Sequence, residues 1–286
     1  MSTKLANAWI FLNEDEPSGT NYNSPDSSYQ RLIQKNVYNS VDVLFLCFAT
    51  TVLTSSRTVP AGTGDQWTLQ MGQADHPKGL TNQDYMDFII RDARAQNPNI
   101  KICMTLNWGN GELLSHIFEN TTYTPEQNAT FFANNLVQYL KHYNIDGFDV
   151  DWESPICYQT SKQQFITLFN AIGEAFRNCD EDYYLTLSPA SVGNLDADTV
   201  NNNFKFVNLQ LYSGFTSPSS FEAAGVNPAL FAYGAKFESN YQTGQEAVND
   251  NNQHYDYPVM TAWRLNSGNY IFEQDQQVDM YRLFKG

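Results

Sequence analysis

The sequence predicts one domain, a (β/α)8 barrel over residues 1–286, and three observations support this. Eight short apolar runs alternate with segments of helical period, as in a parallel sheet whose strands are joined by helices. A length of 286 residues is ordinary for one such barrel. The competing doubly wound sheet would want a glycine-rich phosphate turn, and neither GxGxxG nor GxxxxGK occurs in the sequence.

The predicted strands are apolar runs bounded by polar or turn-forming residues. They cover residues 8–12, 41–48, 100–106, 145–151, 183–187, 204–211, 229–235 and 257–263. No composition shift marks a linker between them, which favours a single domain.

Three of the predicted helices begin with clear capping signals. Thr81 precedes a helix that runs to about residue 96, and Thr124-Pro-Glu-Gln127 is a capping box with proline at the first helical position. Ser161 opens a third helix. Further helices are predicted at 26–36 and 273–284, with a polar helix-like stretch around residue 245. Residues 50–79 are predicted to form a long loop.

The composition argues against several classes of partner. The chain has 31 acidic and 16 basic residues, and a net charge of −15 would repel phosphate backbones, so we expect no nucleic-acid partner. The longest apolar run, 41–53, is shorter than the roughly 20 residues that cross a bilayer, so we expect no membrane span. Aromatic residues make up 14% of the chain, which suits a neutral, hydroxyl-rich ligand such as a sugar.

Cysteine and histidine spacing gives no sign of a metal or other cofactor. Cys47, Cys103, Cys157 and Cys179 include no CxxC pair, and the four histidines lack the spacing of ligands. Cys47 and Cys103 lie inside predicted strands and are expected to be buried thiols. We therefore expect no metal, no cofactor and no disulfide.

The strongest local signal is the segment 145–153, IDGFDVDWE. Side chains alternate along a strand, so Asp149, Asp151 and Glu153 share one face, while Trp152 shares the other with its apolar neighbours. The apolar face would pack on helices, which leaves three carboxylates inside the barrel near its C-terminal rim. Because they cannot all ionise cheaply, the group would retain a proton and titrate as a coupled set. This predicts a general acid near neutral pH.

Residues 146–153, DGFDVDWE, resemble the DGxDxDxE motif of family 18 glycoside hydrolases, the chitinases and their endo-N-acetylglucosaminidase relatives. The likeness extends weakly along most of the chain. It includes the fifth-strand segment Thr186-Leu-Ser-Pro-Ala190, the sixth-strand motif Gln210-Leu-Tyr212 and the last strand Met260-Thr-Ala-Trp263.

The resemblance implies substrate-assisted hydrolysis, in which the substrate's own 2-acetamido oxygen attacks the anomeric carbon. Glu153 would protonate the leaving oxygen and later activate water. Asp151 would hydrogen-bond the acetamide N–H and stabilise the positive charge of the oxazolinium ion. Asp149 would hold Asp151 and share its proton, and Tyr212 would donate to the acetamide oxygen.

The resemblance also indicates where the sugar would bind. Trp263 is expected to form a sugar platform. Gln210 shares the parity of Tyr212, so it is expected to point inward as a polar support or a substrate contact. Trp67, in the predicted long loop, would either line the cleft or anchor that loop.

The chain departs from the family pattern after the third strand, where Thr105-Leu-Asn-Trp-Gly109 replaces the usual Ser-x-Gly-Gly type of sequence. Asn107 and Trp108 are expected to contact substrate at this altered corner. Many chitinases carry a small α+β domain between strands seven and eight, but only about 20 residues separate Ala235 from Tyr257. The resemblance thus implies an open cleft suited to endo cleavage.

Three functions remain open from the sequence. The first is an endo-acting chitinase, the second is an endo-β-N-acetylglucosaminidase that cuts the chitobiose core of N-glycans, and the third is a non-catalytic binding relative on the same barrel. In each case the partner is a polysaccharide or glycan that contains N-acetylglucosamine. No secretory signal is visible before Glu14, so the sequence predicts a cytoplasmic location. Non-classical export, release by lysis or a trimmed signal would allow extracellular action.

Overall fold

Eight parallel strands close into a barrel in the part of the chain that the computed structural model describes, residues 4–12, 20–56 and 66–286. The strands of this part are β1 (Leu5–Phe11), β2 (Val43–Leu53), β3 (Trp67–Met71), β4 (Asp75–His76), β5 (Leu80–Thr81), β6 (Lys101–Leu106), β7 (Gly147–Trp152), β8 (Tyr184–Pro189), β9 (Phe206–Leu209), β10 (Phe231–Lys236) and β11 (Val259–Trp263). The barrel order is β1, β2, β6, β7, β8, β9, β10 and β11, and it closes because β1 pairs with both β2 and β11. The predicted (β/α)8 barrel is confirmed.

Helices follow most of the barrel strands. They are α1 (Ser28–Gln34), α2 (Asn82–Gln96), α3 (Pro125–Tyr143), α4 (Ile156–Gln159), α5 (Lys162–Arg177), α6 (Ala197–Asn203), α7 (Pro218–Ala223), α8 (Gly244–Asp250) and α9 (Tyr270–Lys285). Thr81, Thr124 and Ser161 each form the predicted cap, because each side chain accepts from a backbone N–H of the first turn that has no partner within the helix.

The prediction of one long loop over 50–79 is wrong for the residues that the structure describes. Strand β2 continues to Leu53 and pairs antiparallel with β3, so the barrel carries a hairpin at this corner. The short alternating run of β3 is surrounded by turn-forming residues, which hid it from the sequence pattern. Trp67 begins β3 and stacks on His116, with ring centroids 5.2 Å apart. Residues 57–65 of the predicted loop lie outside the described residues.

Apolar packing forms two layers. The larger layer lies between strands and helices and includes Trp152, which is fully buried, contacts Phe165 edge-on and donates to the Gly193 carbonyl oxygen. A smaller layer fills the barrel interior and includes Cys47 and Cys103, which are buried as predicted. All four cysteines are free thiols. Among the described residues, no helix has the length and apolarity that a bilayer crossing requires.

Candidate active site

Strand β7 delivers the acidic side chains to one end of the barrel. Asp149 and Asp151 are buried on its inner face, and Glu153 follows the strand at the rim, where it is half-buried. Asp149 is in register with Thr105 of β6 and Thr186 of β8, so hydroxyl side chains lie on both sides of it. Trp152, which alternates with these acids, faces the helices.

Asp149 is completely buried and accepts hydrogen bonds from three hydroxyl groups. Thr186 Oγ1 lies 2.6 Å from Asp149 Oδ1, and Ser188 Oγ lies 3.0 and 3.1 Å from its two carboxyl oxygens. Thr105 supplies the third hydroxyl. Burial raises the pKa of Asp149 to about 7, while the hydroxyl groups oppose that rise because they stabilise the anion. Asp149 thus changes charge near neutral pH.

Asp151 and Glu153 form a hydrogen-bonded carboxyl pair above Asp149. Burial, and next the charge of Glu153, raise the pKa of Asp151 well above its usual range. The hydrogen bond between the two side chains acts in the same direction, and so does the charge of Asp149. The pair therefore retains a proton when an exposed carboxyl would have lost its own.

Gln210 lies against both members of this pair. Its Nε2 donates to Asp151 Oδ1 at 3.0 Å and to Glu153 Oε1 at 2.7 Å, and it also lies 3.2 Å from the Ser188 carbonyl oxygen. A carbonyl oxygen can only accept, so this contact determines which end of the Gln210 amide faces the carboxyl pair. The amide therefore presents N–H groups to the acids.

Tyr212 lies just after β9, in a short 3₁₀ turn beside the acids. Burial, followed by the charges of Asp151 and Glu153, raises the pKa of Tyr212 well above its usual range, so the phenol stays protonated. Within the described part of the chain, its hydroxyl has no hydrogen-bond partner. The Tyr212 hydroxyl can therefore donate to a ligand.

A cavity of about 350 Å³ opens over these groups. Its lining consists of Trp9, Phe11, Phe48, Thr105, Trp108, Asp151, Glu153, Ser188, Gln210, Tyr212 and Trp263. Trp263 lies among aromatic neighbours, 6.1 Å from Trp9, 6.4 Å from Phe11 and 6.2 Å from Phe48 between ring centroids. Broad aromatic faces with a few convergent polar groups are typical of a site for a neutral ring-shaped ligand.

The structure brings most of the residues predicted from the sequence together. Lining the cavity are Glu153, Asp151, Tyr212, Gln210, Trp263 and Trp108, with Asp149 buried behind them. Asn107 does not line it: Asn107 Oδ1 accepts from the Gly109 backbone N–H at 2.9 Å and shapes the turn after β6. Trp67 packs on His116 and also lies outside the lining, which favours its role as an anchor.

Several lining residues were not predicted. Trp9 and Phe11 alternate on β1 with side chains that face the helices, so the argument applied to β7 would have found them. Phe48 could not be found in this way, because the register of β2 shifts between Cys47 and Ala49. Strict alternation would place Phe48 on the face opposite to Cys47, whereas the structure places it in the cavity wall.

Comparison with known proteins identifies the family. A sequence model of the glycosyl hydrolases family 18 matches residues 20–259, most of the chain and all of β7. The chain belongs to this family.

Within the described residues, no group of three or more histidine, cysteine, aspartate or glutamate side chains is arranged to hold a metal ion.

Two curated relatives match short parts of this family 18 chain. Chitinase A1 of Niallia circulans is 32% identical over 108 residues, which is 34% of this chain and 14% of that protein. The killer toxin subunits alpha/beta of Kluyveromyces lactis are 51% identical over 39 residues, 14% of this chain and 3% of that protein. The matches therefore span only a small fraction of either relative.

Solved structures share the fold over nearly the whole chain. The class V chitinase of Nicotiana tobaccum has a TM-score of 0.67 and 14% identity, and 99% of each chain is covered. The chitinase-like agglutinin of Robinia pseudoacacia has a TM-score of 0.66 and 13% identity, covering 98% of this chain and 99% of its own. A mutant of the tobacco enzyme, solved in complex with NAG4, has a TM-score of 0.65 and 15% identity, covering 99% of this chain and 98% of its own.

Proposed function

We propose that this family 18 member is an endo-acting, retaining chitinase. It would hydrolyse β-1,4 linkages between N-acetylglucosamine units through the 2-acetamido group of the substrate. The observation that carries the proposal is the hydrogen-bonded pair of Asp151 and Glu153 at the floor of an aromatic cavity, with the hydroxyl of Tyr212 beside it. This arrangement supplies an acid, a charge-stabilising group and a hydrogen-bond donor at one point.

The raised pKa of Asp151 favours substrate-assisted catalysis over a carboxylate nucleophile. An ordinary retaining glycosidase needs an ionised carboxylate as its nucleophile, about 5 Å from the acid. Asp151 is buried, is hydrogen-bonded to Glu153 and has a raised pKa, so it is a poor nucleophile. The acetamido oxygen of the substrate would attack the anomeric carbon instead, and substrates without an N-acetyl group would not be cleaved.

Each side chain of the site then has a defined role in the proposed reaction. Glu153, at the rim, would give its proton to the leaving glycosidic oxygen and afterwards take a proton from the attacking water. Asp151 would accept from the acetamido N–H and stabilise the oxazolinium ion. Tyr212 would hold the acetamido oxygen in line with the anomeric carbon, since its phenol is protonated and free to donate. Trp263 would support the sugar ring.

An open cleft supports cleavage within a chain rather than from its end. Between β10 and β11 the chain forms only short helical turns and α8, with no inserted domain to roof the cavity. Trp108 is 39% exposed on one edge of the lining, where a further sugar unit would extend. A polymer could therefore lie across the site in both directions.

A second candidate is binding without catalysis. The Robinia pseudoacacia protein with the same fold is a chitinase-like agglutinin, so this barrel is compatible with a lectin. Glu153, Asp151 and Tyr212 argue against that reading for this chain, because a binder does not need a protonated acid at its floor.

The test is hydrolysis of a fluorogenic chitooligosaccharide by the wild type and by Glu153→Gln. We expect the rate to fall at least about 100-fold, on the scale that general acid catalysis supplies. Glu126→Gln, which changes an exposed glutamate in the first turn of α3, is the matched control and should keep full activity.

A high-mannose glycoprotein assayed in parallel separates the remaining alternatives. Release of glycan from the glycoprotein alone would replace the proposal with an endo-β-N-acetylglucosaminidase. If the wild type cuts neither substrate and still binds the oligosaccharide in calorimetry, the protein is a binder and the enzyme proposal fails.

A further inference from the structure

A chain of buried polar side chains crosses the barrel interior and ends on Asp149. Its members are Asn7 of β1, Thr261 of β11, Asn208 of β9 and Ser188 of β8, and none of them is more than 2% exposed. Buried polar groups are costly unless all of their hydrogen bonds are made. Four such residues from four strands therefore need an explanation beyond packing.

The hydrogen bonds of this chain all run in one direction. The Val43 backbone N–H donates to Asn7 Oδ1 at 3.2 Å, which leaves Asn7 Nδ2 to donate to Thr261 Oγ1 at 3.3 Å. Thr261 Oγ1 donates to Asn208 Oδ1 at 2.6 Å, and Asn208 Nδ2 donates to Ser188 Oγ at 3.1 Å. A backbone N–H can only donate, so it sets the direction of every later link.

The last link delivers the Ser188 hydroxyl hydrogen to Asp149. Ser188 Oγ already accepts from Asn208, so its own hydrogen points to the Asp149 carboxyl oxygens, 3.0 and 3.1 Å away. A second, shorter chain reaches the same carboxyl: the Trp9 indole N–H donates to Thr105 Oγ1 at 3.2 Å, and Thr105 bonds Asp149. An indole N–H also can only donate.

We propose that these two donor chains make Asp149 the first carboxyl of the site to ionise, so that the shared proton stays with Asp151 and Glu153. Both chains donate hydrogen bonds to Asp149. These bonds stabilise the ionised carboxylate more than the protonated carboxyl. The Asp149 charge then helps Asp151 to keep its proton. Asn7, Thr261 and Asn208 are thus positioning residues, since they act through Ser188 and Asp149.

Other titratable groups near Asp149 do not supply this bias. Cys103 of β6, the strand beside β7, and Cys47 of β2, one strand further round the barrel, also lie in the interior, and burial raises the pKa of both thiols, so they remain neutral. Asp151 of its own strand shares the proton in question with Glu153. Tyr212, beyond Asp151, is also neutral because its pKa is raised. The fixed hydroxyl hydrogens are therefore what favours ionisation at Asp149.

The space for the long chain depends on a glycine. Gly234 of β10 is in register with Thr261 and lies on the strand between Asn208 and Thr261. A Cβ at Gly234 would collide with the Leu209 carbonyl oxygen on β9. With no side chain from β10 at this level, Thr261 can reach across the strand to Asn208.

The test breaks the long chain at a point remote from the carboxyl groups. In Thr261→Val, nothing donates to Asn208 Oδ1, so the Asn208 amide is free to turn over. Its oxygen can then accept from Ser188, whose hydroxyl turns away from Asp149. We expect the midpoint of the Asp149 titration to rise by about one to two pH units, the scale of one hydrogen bond to a charged group.

The measurement is carbon-13 NMR of labelled aspartate carboxyl groups, with Asp149→Asn and Asp151→Asn used to assign the signals. Thr261→Ser keeps the hydroxyl and should restore the wild-type midpoint. Thr160→Val is the matched control: Thr160 Oγ1 is buried without a hydrogen-bond partner in the described structure, so its loss should leave the Asp149 titration unchanged.

The wild type alone can also overturn the proposal. If Asp151 loses its proton at a lower pH than Asp149, the donor chains do not perform this role, and the same holds if Thr261→Val folds and titrates like the wild type. The kinetic counterpart is a shift to higher pH of the acidic limb in the pH profile of kcat/KM for Thr261→Val. This readout rests on the proposed chitinase activity. Failure of that activity would leave the NMR titration as an independent test.

Discussion

Removal of the Gln210 amide is the sharpest perturbation of the carboxyl pair. Gln210→Leu keeps the size of the side chain and deletes the Nε2 group that contacts Asp151 and Glu153. Nε2 has two hydrogens, and the Ser188 carbonyl oxygen at 3.2 Å occupies one of them. The substitution therefore deletes about one hydrogen bond to the carboxyl pair.

The expected loss of rate depends on how strong this hydrogen bond is in the transition state. In the proposed mechanism, negative charge develops on Glu153 as its proton moves to the leaving oxygen, so the bond from Gln210 would strengthen in the transition state. A hydrogen bond to a charged group contributes about 1.5–3 kcal/mol, and each 1.36 kcal/mol is tenfold in rate. We expect kcat/KM to fall about 10- to 150-fold, mostly in kcat, with KM changed less than about threefold.

The assay is steady-state hydrolysis of the fluorogenic chitooligosaccharide, with thermal unfolding measured on the same samples. Gln277→Leu is the matched control, because Gln277 of α9 is also a buried glutamine and donates Nε2 to the Ser40 carbonyl oxygen at 2.8 Å. It should lower Tm and leave kcat unchanged. The reasoning is refuted if Gln210→Leu stays within about threefold of wild-type kcat/KM, or if Gln277→Leu loses as much activity.

Two further predictions concern stability and binding. The pKa of Asp149 is raised to about 7, so the folded state binds this proton more tightly than the unfolded state, and stability should fall as pH rises from about 4 to 7. Asp149→Asn should flatten that fall by up to about 4 kcal/mol in the free energy of unfolding, measured by urea denaturation across the range; an unchanged slope would contradict it. Trp263→Ala in a Glu153→Gln background should weaken chitooligosaccharide binding about tenfold or more in calorimetry, whereas Trp67→Ala should bind normally. Equal affinity of the two tryptophan variants would remove Trp263 as the platform.

The sequence predicts most of the barrel because its strands are buried on both faces. Such strands appear as apolar runs, and each of the eight runs overlaps one strand of the barrel. The hairpin strand β3 was not predicted, because it is antiparallel, short and surrounded by polar turn residues and so lacks a continuous apolar run. Phe48 was not predicted to line the cavity, because the register shift in β2 breaks the alternation on which the prediction depends.

The candidate site was predictable where its chemistry lies on one strand. Asp149, Asp151 and Glu153 lie two positions apart along the chain, so period-two alternation places them together. Asn7, Asn208 and Thr261 lie on three strands that are distant in the sequence. Alternation can say that such residues face the interior, but only the barrel register shows which oxygen meets which N–H.

The buried polar chain and the carboxyl group explain each other. In a barrel interior filled only with apolar residues, Asp149 would retain its own proton, because burial alone favours the neutral form. Hydroxyl groups whose hydrogens could turn either way would stabilise both forms of Asp149 and select neither. Anchoring the donors to groups that can only donate, the Val43 N–H and the Trp9 indole N–H, removes that freedom. The direction of hydrogen bonds set at the far side of the barrel thus determines which carboxyl of the site holds the proton.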